Sequence, residues 1–223
     1  MHWFKILAFV CISNFAASQQ IAFNKELSNF CNTAISNSKK ISKKRKAVLN
    51  NIAIELLEKK HIVYACKTNT RRTQLLQTWT QTAFYYYGVV DRIAFSYGDS
   101  IADIYPGVVD ILKQSGFYYA ESNTIPKGYT ISLNNNAPEY IIAPKNTLGK
   151  INSETTILIN ICSSGETFAD QKMSYLKLPY KTPTEFEAKK NEQEKYMELN
   201  KTIATEMFYM VSKLLELQQL KKK

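Results

Sequence analysis

One segment of the chain, Cys66 to Thr73, combines residue types that can bind and attack an oxyanion. It reads Cys-Lys-Thr-Asn-Thr-Arg-Arg-Thr and lies between a predicted strand and a predicted helix. In that setting the backbone N–H groups of the loop and of the helix N-terminus converge on one anion. The same positive field favours the thiolate form of Cys66, and the planar fork of Arg72 can hold two oxygens of a phosphate-like group. The segment therefore predicts nucleophilic attack by Cys66 on a bound tetrahedral oxyanion.

Each position of this loop has an expected role. The predicted catalytic set is Cys66 as the nucleophile, Arg72 as the oxyanion clamp and Thr73 as a hydroxyl that donates to the sulfur. Asn69 is expected to shape the loop, since asparagine tolerates left-handed backbone conformations, and Arg71 is expected to be a rim charge. The alternative for Cys66 is a core residue at a strand end, but the strand–loop–helix context favours the anion loop. The predicted phosphate-binding set is Lys67, Thr68, Asn69, Thr70, Arg71 and Arg72.

The elements that must position this loop alternate between strand and helix patterns. Predicted strands cover residues 61–65, 92–97, 157–161 and 175–178. Predicted helices cover residues 43–60, the segment after the loop, residues 103–115 and the segment after Pro183. A hairpin is predicted from 129–133 and 139–143. The alternation predicts an α/β fold of three αβα layers around a four-stranded parallel sheet, with an N-terminal helical extension and a long C-terminal helix.

The loop resembles that of the low-molecular-weight protein tyrosine phosphatase and arsenate reductase superfamily. The wider chain, roughly residues 40 to 215, is similar to a bacterial branch with an N-terminal helical extension and a loop of the type Cys-Thr-His-Asn-Ser-Arg-Arg-Ser. This resemblance implies a phosphotyrosine protein phosphatase I-like fold. It also implies hydrolysis of phosphomonoesters of the phosphotyrosine type through a Cys66 thiophosphate. The other matching stretches are Gln77-Thr78-Trp79, Gln81-Thr82-Ala83, Tyr105-Pro106, Gly116-Phe117, Leu178-Pro179-Tyr180 and Ile203-Ala204-Thr205-Glu206-Met207-Phe208.

The chain departs from the family pattern at the expected general acid. Family phosphatases carry an Asp-Pro pair on a late loop, and Thr182 stands where that Asp is expected. A threonine hydroxyl is no general acid near neutral pH, so the departure predicts a phosphatase that is slower by ~10²–10⁴-fold. Asp170, Glu185 and Glu187 are near in sequence, but none matches the motif.

Two alternatives stay open beside the phosphatase. The first is an arsenate or oxyanion reductase, because the resemblance places a redox cysteine at Cys162, which ends an apolar strand at the same edge of the predicted sheet as Cys66. The further family cysteines are absent, with Ala169 and Arg71 in their places, and Cys162 as plain strand core is the competing interpretation. The second alternative is a non-catalytic protein that binds phosphate or a phosphorylated ligand, as Thr182 suggests.

The N-terminus predicts export. A short basic start, an apolar run from Ile6 and small residues up to Ser18 are typical of a secretory signal peptide. The expected organisation is a signal peptide over residues 1–18, a helical extension over 19–60 and a phosphatase-like domain over 61–220. The predicted location is the periplasm or the outside of the cell. The mature chain would keep an odd number of cysteines, which leaves at least one thiol unpaired in an oxidising compartment.

The composition of the chain limits the kinds of partner that it is expected to bind. The net charge is +10, with basic clusters at residues 39–46 and 221–223. We interpret these clusters as a solvated helix start and a tail that attract anionic substrates. The expected partners are a phosphate-like oxyanion or phosphorylated substrate and, for a reductase, a thiol reductant. No nucleic-acid module, metal-binding pattern, cofactor motif or transmembrane segment is predicted, and the oligomeric state stays open.

Overall fold

The computed structural model describes residues 22–98, 102–134, 139–144, 152–162 and 175–222. The predicted signal peptide, Asp170 and Ala169 lie outside the described residues. The helices are α1 (Lys25–Asn37), α2 (Lys43–Leu57), α3 (Arg72–Tyr86), α4 (Pro106–Gln114) and α5 (Glu192–Lys221). The strands are β1 (His61–Cys66), β2 (Ile93–Gly98), β3 (Tyr118–Glu121), β4 (Tyr129–Ser132), β5 (Tyr140–Ile142), β6 (Thr156–Asn160) and β7 (Tyr175–Lys177).

Four strands form a parallel sheet in the order β2-β1-β6-β7. In β1 only His61 is partly exposed, and every residue of β6 is buried, as expected for central strands of a parallel sheet. The α/β class, the four-stranded parallel sheet and the long C-terminal helix predicted from the sequence are confirmed. Because β1 and β6 are neighbours with the same direction, the residues that follow them meet at one sheet edge.

The two faces of the sheet carry cores of different size. Ile62 and Tyr64 belong to a large core to which all five described helices contribute. Val63, Ala65 and Leu158 form a small separate core on the other face. The described residues thus supply one helical layer, and the second layer of the predicted three-layer arrangement stays a prediction.

A second, antiparallel sheet has the strand order β3-β4-β5. The predicted hairpin of residues 129–133 and 139–143 is confirmed by the pairing of β4 with β5. The strand β3 was not predicted, since its four residues are mostly exposed and lack an apolar alternation. Gly116, with a φ of 96°, turns the chain out of α4 toward β3.

Several helix bounds differ from the sequence predictions for local reasons. Helix α4 begins at Pro106 rather than at residue 103, because proline is favoured at the first helical position. Helix α2 ends at Leu57, before Lys60, since the N–H groups of Lys60 and His61 bond to Thr155. The chain after Pro183 first forms a 3₁₀ turn, so α5 begins only at Glu192.

The long helix α5 lies at the centre of the helical layer. Its apolar residues include the buried Ile203, Met207, Met210 and Leu214. Helix α5 packs mainly against the other four helices. Helix α3 is buried on nearly all sides. No helix of the described residues has the length and apolar character that would let it cross a bilayer.

Candidate active site

The predicted anion loop runs from the end of β1 to the first turn of α3. Cys66 ends β1, and Arg72 opens α3, so the strand–loop–helix arrangement is present. Cys66 is 8% exposed. Gly98 ends the neighbouring strand, and a Cβ atom there would lie 2.7 Å from the backbone nitrogen of Asn69. Only glycine therefore lets the loop pass this close to β2.

Asn69 gives the loop its curvature. Its φ of 45° is the left-handed conformation expected from the sequence. The side-chain nitrogen of Asn69 donates to the carbonyl oxygen of Ala143 at 3.2 Å. The carbonyl of Asn69 accepts from Nε2 of Gln74 at 2.7 Å. Helix α3 and the end of the second sheet thus hold the turn of the loop in place.

Arg72 lies beside the sulfur of Cys66. Its Nη2 donates to Sγ of Cys66 at 3.5 Å, and its Nη1 donates to the carbonyl of Tyr180 at 2.6 Å. Arg72 as a whole residue is 9% exposed. A fixed cation at this sulfur stabilises the thiolate over the thiol. It is also placed for an oxyanion that approaches the sulfur.

The side chain of Arg71 lies between Thr70 of the loop and Glu187, which precedes α5. It forms an ion pair with Glu187, with Nη2 at 2.9 Å from Oε2, and its guanidinium carbon lies 4.7 Å from the ring centre of Tyr105. Burial by itself lowers the pKa of Arg71, but the hydrogen bond and charge of Glu187 outweigh burial and raise it. Arg71 is therefore partly buried and paired with Glu187, and its role as a rim charge stays a prediction.

The remaining loop residues differ in exposure. Lys67 is exposed, Thr68 is partly buried, and Thr70 and Thr73 are buried. The hydroxyls of Thr68 and Thr70 lie 3.2 Å apart, and Nη1 of Arg71 donates to the Thr70 hydroxyl at 2.8 Å. Thr73 lies in the first turn of α3, and donation by its hydroxyl to the sulfur stays a prediction.

Cys66 and Cys162 form a disulfide, with their Cα atoms 5.7 Å apart. Cys162 follows β6, and its N–H donates to Oδ1 of Asn160 at 2.9 Å. The parallel pairing of β1 with β6 brings the two cysteines together across 96 residues of sequence. Cys162 is partly exposed, whereas Cys66 is buried. In this oxidised state the Cys66 sulfur is no nucleophile, and an external thiolate reaches Cys162 more readily.

The position of the expected general acid carries no carboxylate. Thr182 precedes the 3₁₀ turn, and its hydroxyl lies 3.0 Å from that of Thr184. Glu187, the carboxylate nearest in sequence that is partly buried, is bound by Arg71 and Tyr196. Among the residues that the structure describes, no group of three or more His, Cys, Asp or Glu side chains can hold a metal ion.

Sequence reasoning missed the residues that support the loop from behind. Gln74 and Glu187 were not assigned to the site, because a buried glutamine in a helix and a glutamate before a helix give no distinctive signal. Tyr180 was noted only as part of the resemblance, and its backbone carbonyl proves to hold Arg72. Gly98 was not assigned to the site either, although a side chain at this position would collide with the backbone of Asn69.

Comparisons with known proteins give a limited result. No protein-family model and no curated protein matches the chain. One similar solved structure is the arsenate reductase from Archaeoglobus fulgidus DSM 4304, with a TM-score of 0.43, 11% sequence identity, and coverage of 66% of this chain and 98% of that chain. Another is the thioredoxin-dependent arsenate reductase of Corynebacterium glutamicum, with a TM-score of 0.33, 13% identity, and coverage of 79% and 92%. These similarities are too weak to indicate the function of this chain. We therefore infer the function from the residues of the site.

Proposed function

We propose that this protein is an oxyanion reductase in which Cys66 and Cys162 form the redox pair. The observation that carries the proposal is the disulfide between the cysteine of the anion loop and the cysteine that follows the adjacent strand. A pair of this kind can store the two electrons that reduction of a pentavalent oxyanion such as arsenate consumes.

The reaction balances in two steps. The Cys66 thiolate attacks arsenic of a bound arsenate and forms a sulfur–arsenic bond, and one oxygen leaves as water after proton uptake from solvent. The Cys162 thiolate then attacks the Cys66 sulfur, and the sulfur–arsenic bond breaks. Its electron pair stays on arsenic, which leaves as the trivalent oxyanion, while the two sulfurs are oxidised to the disulfide. A dithiol of the thioredoxin class would restore both thiols.

The geometry of the site supports each step. Arg72 at the Cys66 sulfur and the amides of the loop would hold the oxyanion and stabilise the attacking thiolate. The same groups make Cys66 a good leaving group when an external thiolate attacks the more exposed Cys162. In a phosphatase the leaving group is an alkoxide or phenoxide, which a general acid must protonate. In the reductase the leaving oxygen takes protons from solvent and departs as water, so replacement of the acid by Thr182 should slow the reductase less.

The proposed location is extracytoplasmic, as the predicted signal peptide implies. An oxidising compartment favours the disulfide form, so turnover there requires a dithiol protein supplied from a reducing source. A reductant of this class is therefore part of the proposal.

The decisive experiment measures arsenite formation from arsenate by the mature, reduced protein, with a thioredoxin-class dithiol protein as the electron donor. Cys66→Ser should abolish product. Cys162→Ser should still bind arsenate but lose steady-state turnover, because the electron pair can no longer be delivered by an internal thiol. The matched control Cys31→Ala, at a buried unpaired cysteine, should retain turnover. Full activity of Cys162→Ser, or arsenate binding by the reduced protein without arsenite formation, would contradict the proposal.

A second candidate is a cysteine-dependent phosphatase, favoured by the position of Arg72 at the Cys66 sulfur. Aryl phosphates have good leaving groups and test the nucleophile without demanding an acid. Turnover by freshly reduced protein that is lost in Cys66→Ser would support this candidate, and Thr182→Asp should then accelerate hydrolysis of alkyl phosphates by ~10²-fold or more. Binding of phosphate without turnover of either substrate class would leave the third alternative, a phosphate-binding protein.

A further inference from the structure

A partly buried ion pair joins the N-terminal helical segment to the C-terminal helix behind the site. Arg45 of α2 holds Glu206 of α5 through two parallel hydrogen bonds, Nε to Oε1 and Nη2 to Oε2, each of 2.8 Å. The Glu206 side chain is only 8% exposed. Burial by itself lowers the pKa of Arg45, but the hydrogen bond and charge of Glu206, with Tyr180, raise it overall, so Arg45 stays charged.

The same pair holds the segment Pro179-Tyr180. Nη1 of Arg45 donates to the carbonyl of Pro179 at 3.1 Å, and the guanidinium carbon lies 4.5 Å from the ring centre of Tyr180. The Tyr180 hydroxyl donates to Oε2 of Glu206. Burial, and then the charge of Glu206, raise the pKa of Tyr180 well above its usual value. Its hydroxyl therefore remains a neutral donor.

The backbone of this segment reaches the anion loop. The N–H groups of Leu178 and Tyr180 donate to Asn160 and Ile161, at 2.8 and 3.3 Å. The carbonyl of Tyr180 is thereby fixed between the end of β6 and the Arg45–Glu206 pair. That carbonyl accepts from Nη1 of Arg72 at 2.6 Å, while Nη2 of Arg72 contacts the Cys66 sulfur.

We propose that Arg45 is a positioning residue for Arg72, acting through Glu206 and the Pro179-Tyr180 segment. An ion pair that is removed from water adds little to the stability of a fold, because the cost of desolvating the charges offsets their attraction. Its consequence here is geometric: two charged groups fix a tyrosine whose carbonyl orients the guanidinium at the reactive sulfur. Through Arg45, the N-terminal helical segment contributes to the oxyanion site without contacting the anion. The inference rests on the anion-binding role that the proposed function gives Arg72.

The test measures reactivity of Cys66, which needs no turnover. In a Cys162→Ser background, where Cys66 cannot form this disulfide, the rate of alkylation by iodoacetamide is followed against pH, with Cys66 resolved by peptide mass. In Arg45→Ala the midpoint of this profile should rise by about one pH unit, because a displaced Arg72 stabilises the thiolate less. The Kd for arsenate should rise about tenfold, because the displaced Arg72 also holds the anion less well. Arg45→Lys keeps the positive charge but lacks the planar fork. Its alkylation midpoint and its Kd should therefore lie between those of the parent protein and those of Arg45→Ala.

The matched control is Arg92→Ala. Arg92 is buried, and its Nη1 donates to the carbonyl of Leu56 at 2.7 Å and to that of Lys59, at the amino end of β1 and β2. Its loss should lower the urea midpoint of unfolding and leave the alkylation midpoint unchanged. An unchanged alkylation midpoint in folded Arg45→Ala, or an equal shift in Arg92→Ala, would overturn the proposal.

A second variant covers the case in which Arg45→Ala does not fold. Tyr180→Phe removes the hydroxyl that donates to Glu206 but keeps the ring and the carbonyl. It should shift the alkylation midpoint in the same direction by a smaller amount, and no shift would overturn the proposal. Absence of arsenite formation together with a shifted midpoint would refute only the reductase activity, so the two failures are distinguishable.

Discussion

At the scale of single residues, the described cysteines differ through their surroundings. Cys31 lies in the packed interface of α1, and burial raises the pKa of its thiol from 9.0 to about 12, against a smaller lowering by a backbone hydrogen bond. Cys66 and Cys162 instead end adjacent strands at a polar loop and are joined to each other. The Cys31 thiol is thus protonated and buried, whereas Cys66 and Cys162 are close enough to form a disulfide.

The buried thiol of Cys31 should make stability depend on alkaline pH. Because its folded pKa lies above that of the unfolded chain, the unfolded chain loses this proton first. The contribution is fully present below about pH 9 and is lost as pH rises toward about 12. Urea unfolding of the reduced protein between about pH 8 and about pH 10.5 should show a falling free energy of unfolding. Cys31→Ala should reduce that slope, and an identical slope in the variant would contradict the assignment.

The Cys66–Cys162 disulfide should stabilise the oxidised protein. It links residues 96 apart, and a cross-link over a loop of this length restricts the unfolded chain by about 2–5 kcal/mol. The oxidised wild-type protein should therefore have a higher free energy of unfolding in urea than the reduced one. In Cys162→Ser the difference between oxidising and reducing conditions should vanish. If Cys162→Ser kept the difference, another cysteine pair would be responsible.

At the scale of elements, three helices are joined by one buried amide. Nε1 of Trp79 on α3 donates to Oδ1 of Asn200 on α5 at 2.6 Å, and Nδ2 of Asn200 donates to the hydroxyl of Ser115, which follows α4, at 2.8 Å. The Asn200 side chain is fully buried. Hydrogen bonds are directional, whereas apolar contacts are not. These two bonds therefore fix the rotation of α5 about its axis relative to α3.

Asn200→Ala should lower the free energy of unfolding by about 1–3 kcal/mol, since the indole N–H of Trp79 would remain buried without its acceptor. Thermal and urea unfolding measure the loss. Asn29→Ala, an exposed asparagine on α1, is the matched control and should change stability by less than about 0.5 kcal/mol. Equal losses in the two variants would show that the bridge contributes nothing specific.

Polar groups attach the second sheet to α3, in addition to the apolar core that the two share. Nε2 of Gln77 donates to the carbonyl of Ile141 at 3.0 Å, and Nε2 of Gln74 donates to that of Ala143 at 3.2 Å. Ser96 of β2 donates to Oε1 of Gln77 at 2.6 Å. The burial of these glutamines was not predicted from the sequence, because helix periodicity identifies a buried side chain only when it is apolar. Their burial depends on the placement of the residues around β5.

At the scale of the whole molecule, the chain carries 29 basic and 19 acidic residues, a net charge of +10. A positive field of this size raises the local concentration of anions, and salt screens it. In the reduced Cys162→Ser protein, alkylation of Cys66 by anionic iodoacetate should slow several-fold when the salt concentration rises from about 0.01 M to about 0.15 M. Alkylation by neutral iodoacetamide, the internal control, should change little. Equal salt dependence of the two reagents would argue against attraction of anions to the site.

The sequence by itself determined the loop from Cys66 to Thr73 and the sheet that supports it. The loop follows from residue types at short spacing: Cys66 ends an apolar run, Asn69 accepts a left-handed turn, and Arg72 opens a helix. Local chemistry decides these features, because each depends on neighbours within a few positions. The four parallel strands were also predictable, since buried strands read as continuous apolar runs between helices.

Only the tertiary structure decided which distant side chains complete the site. Cys162 meets Cys66 across 96 residues, Glu187 pairs with Arg71 across 116, and Arg45 meets Glu206 across 161. Charged residues such as Arg45 and Glu206 occur throughout the sequence, and nothing in their local pattern distinguishes a buried pair from a solvated one. Their partners are selected by the packing of α2 and α5 behind the loop, because a charge removed from water must be paired wherever the fold places it.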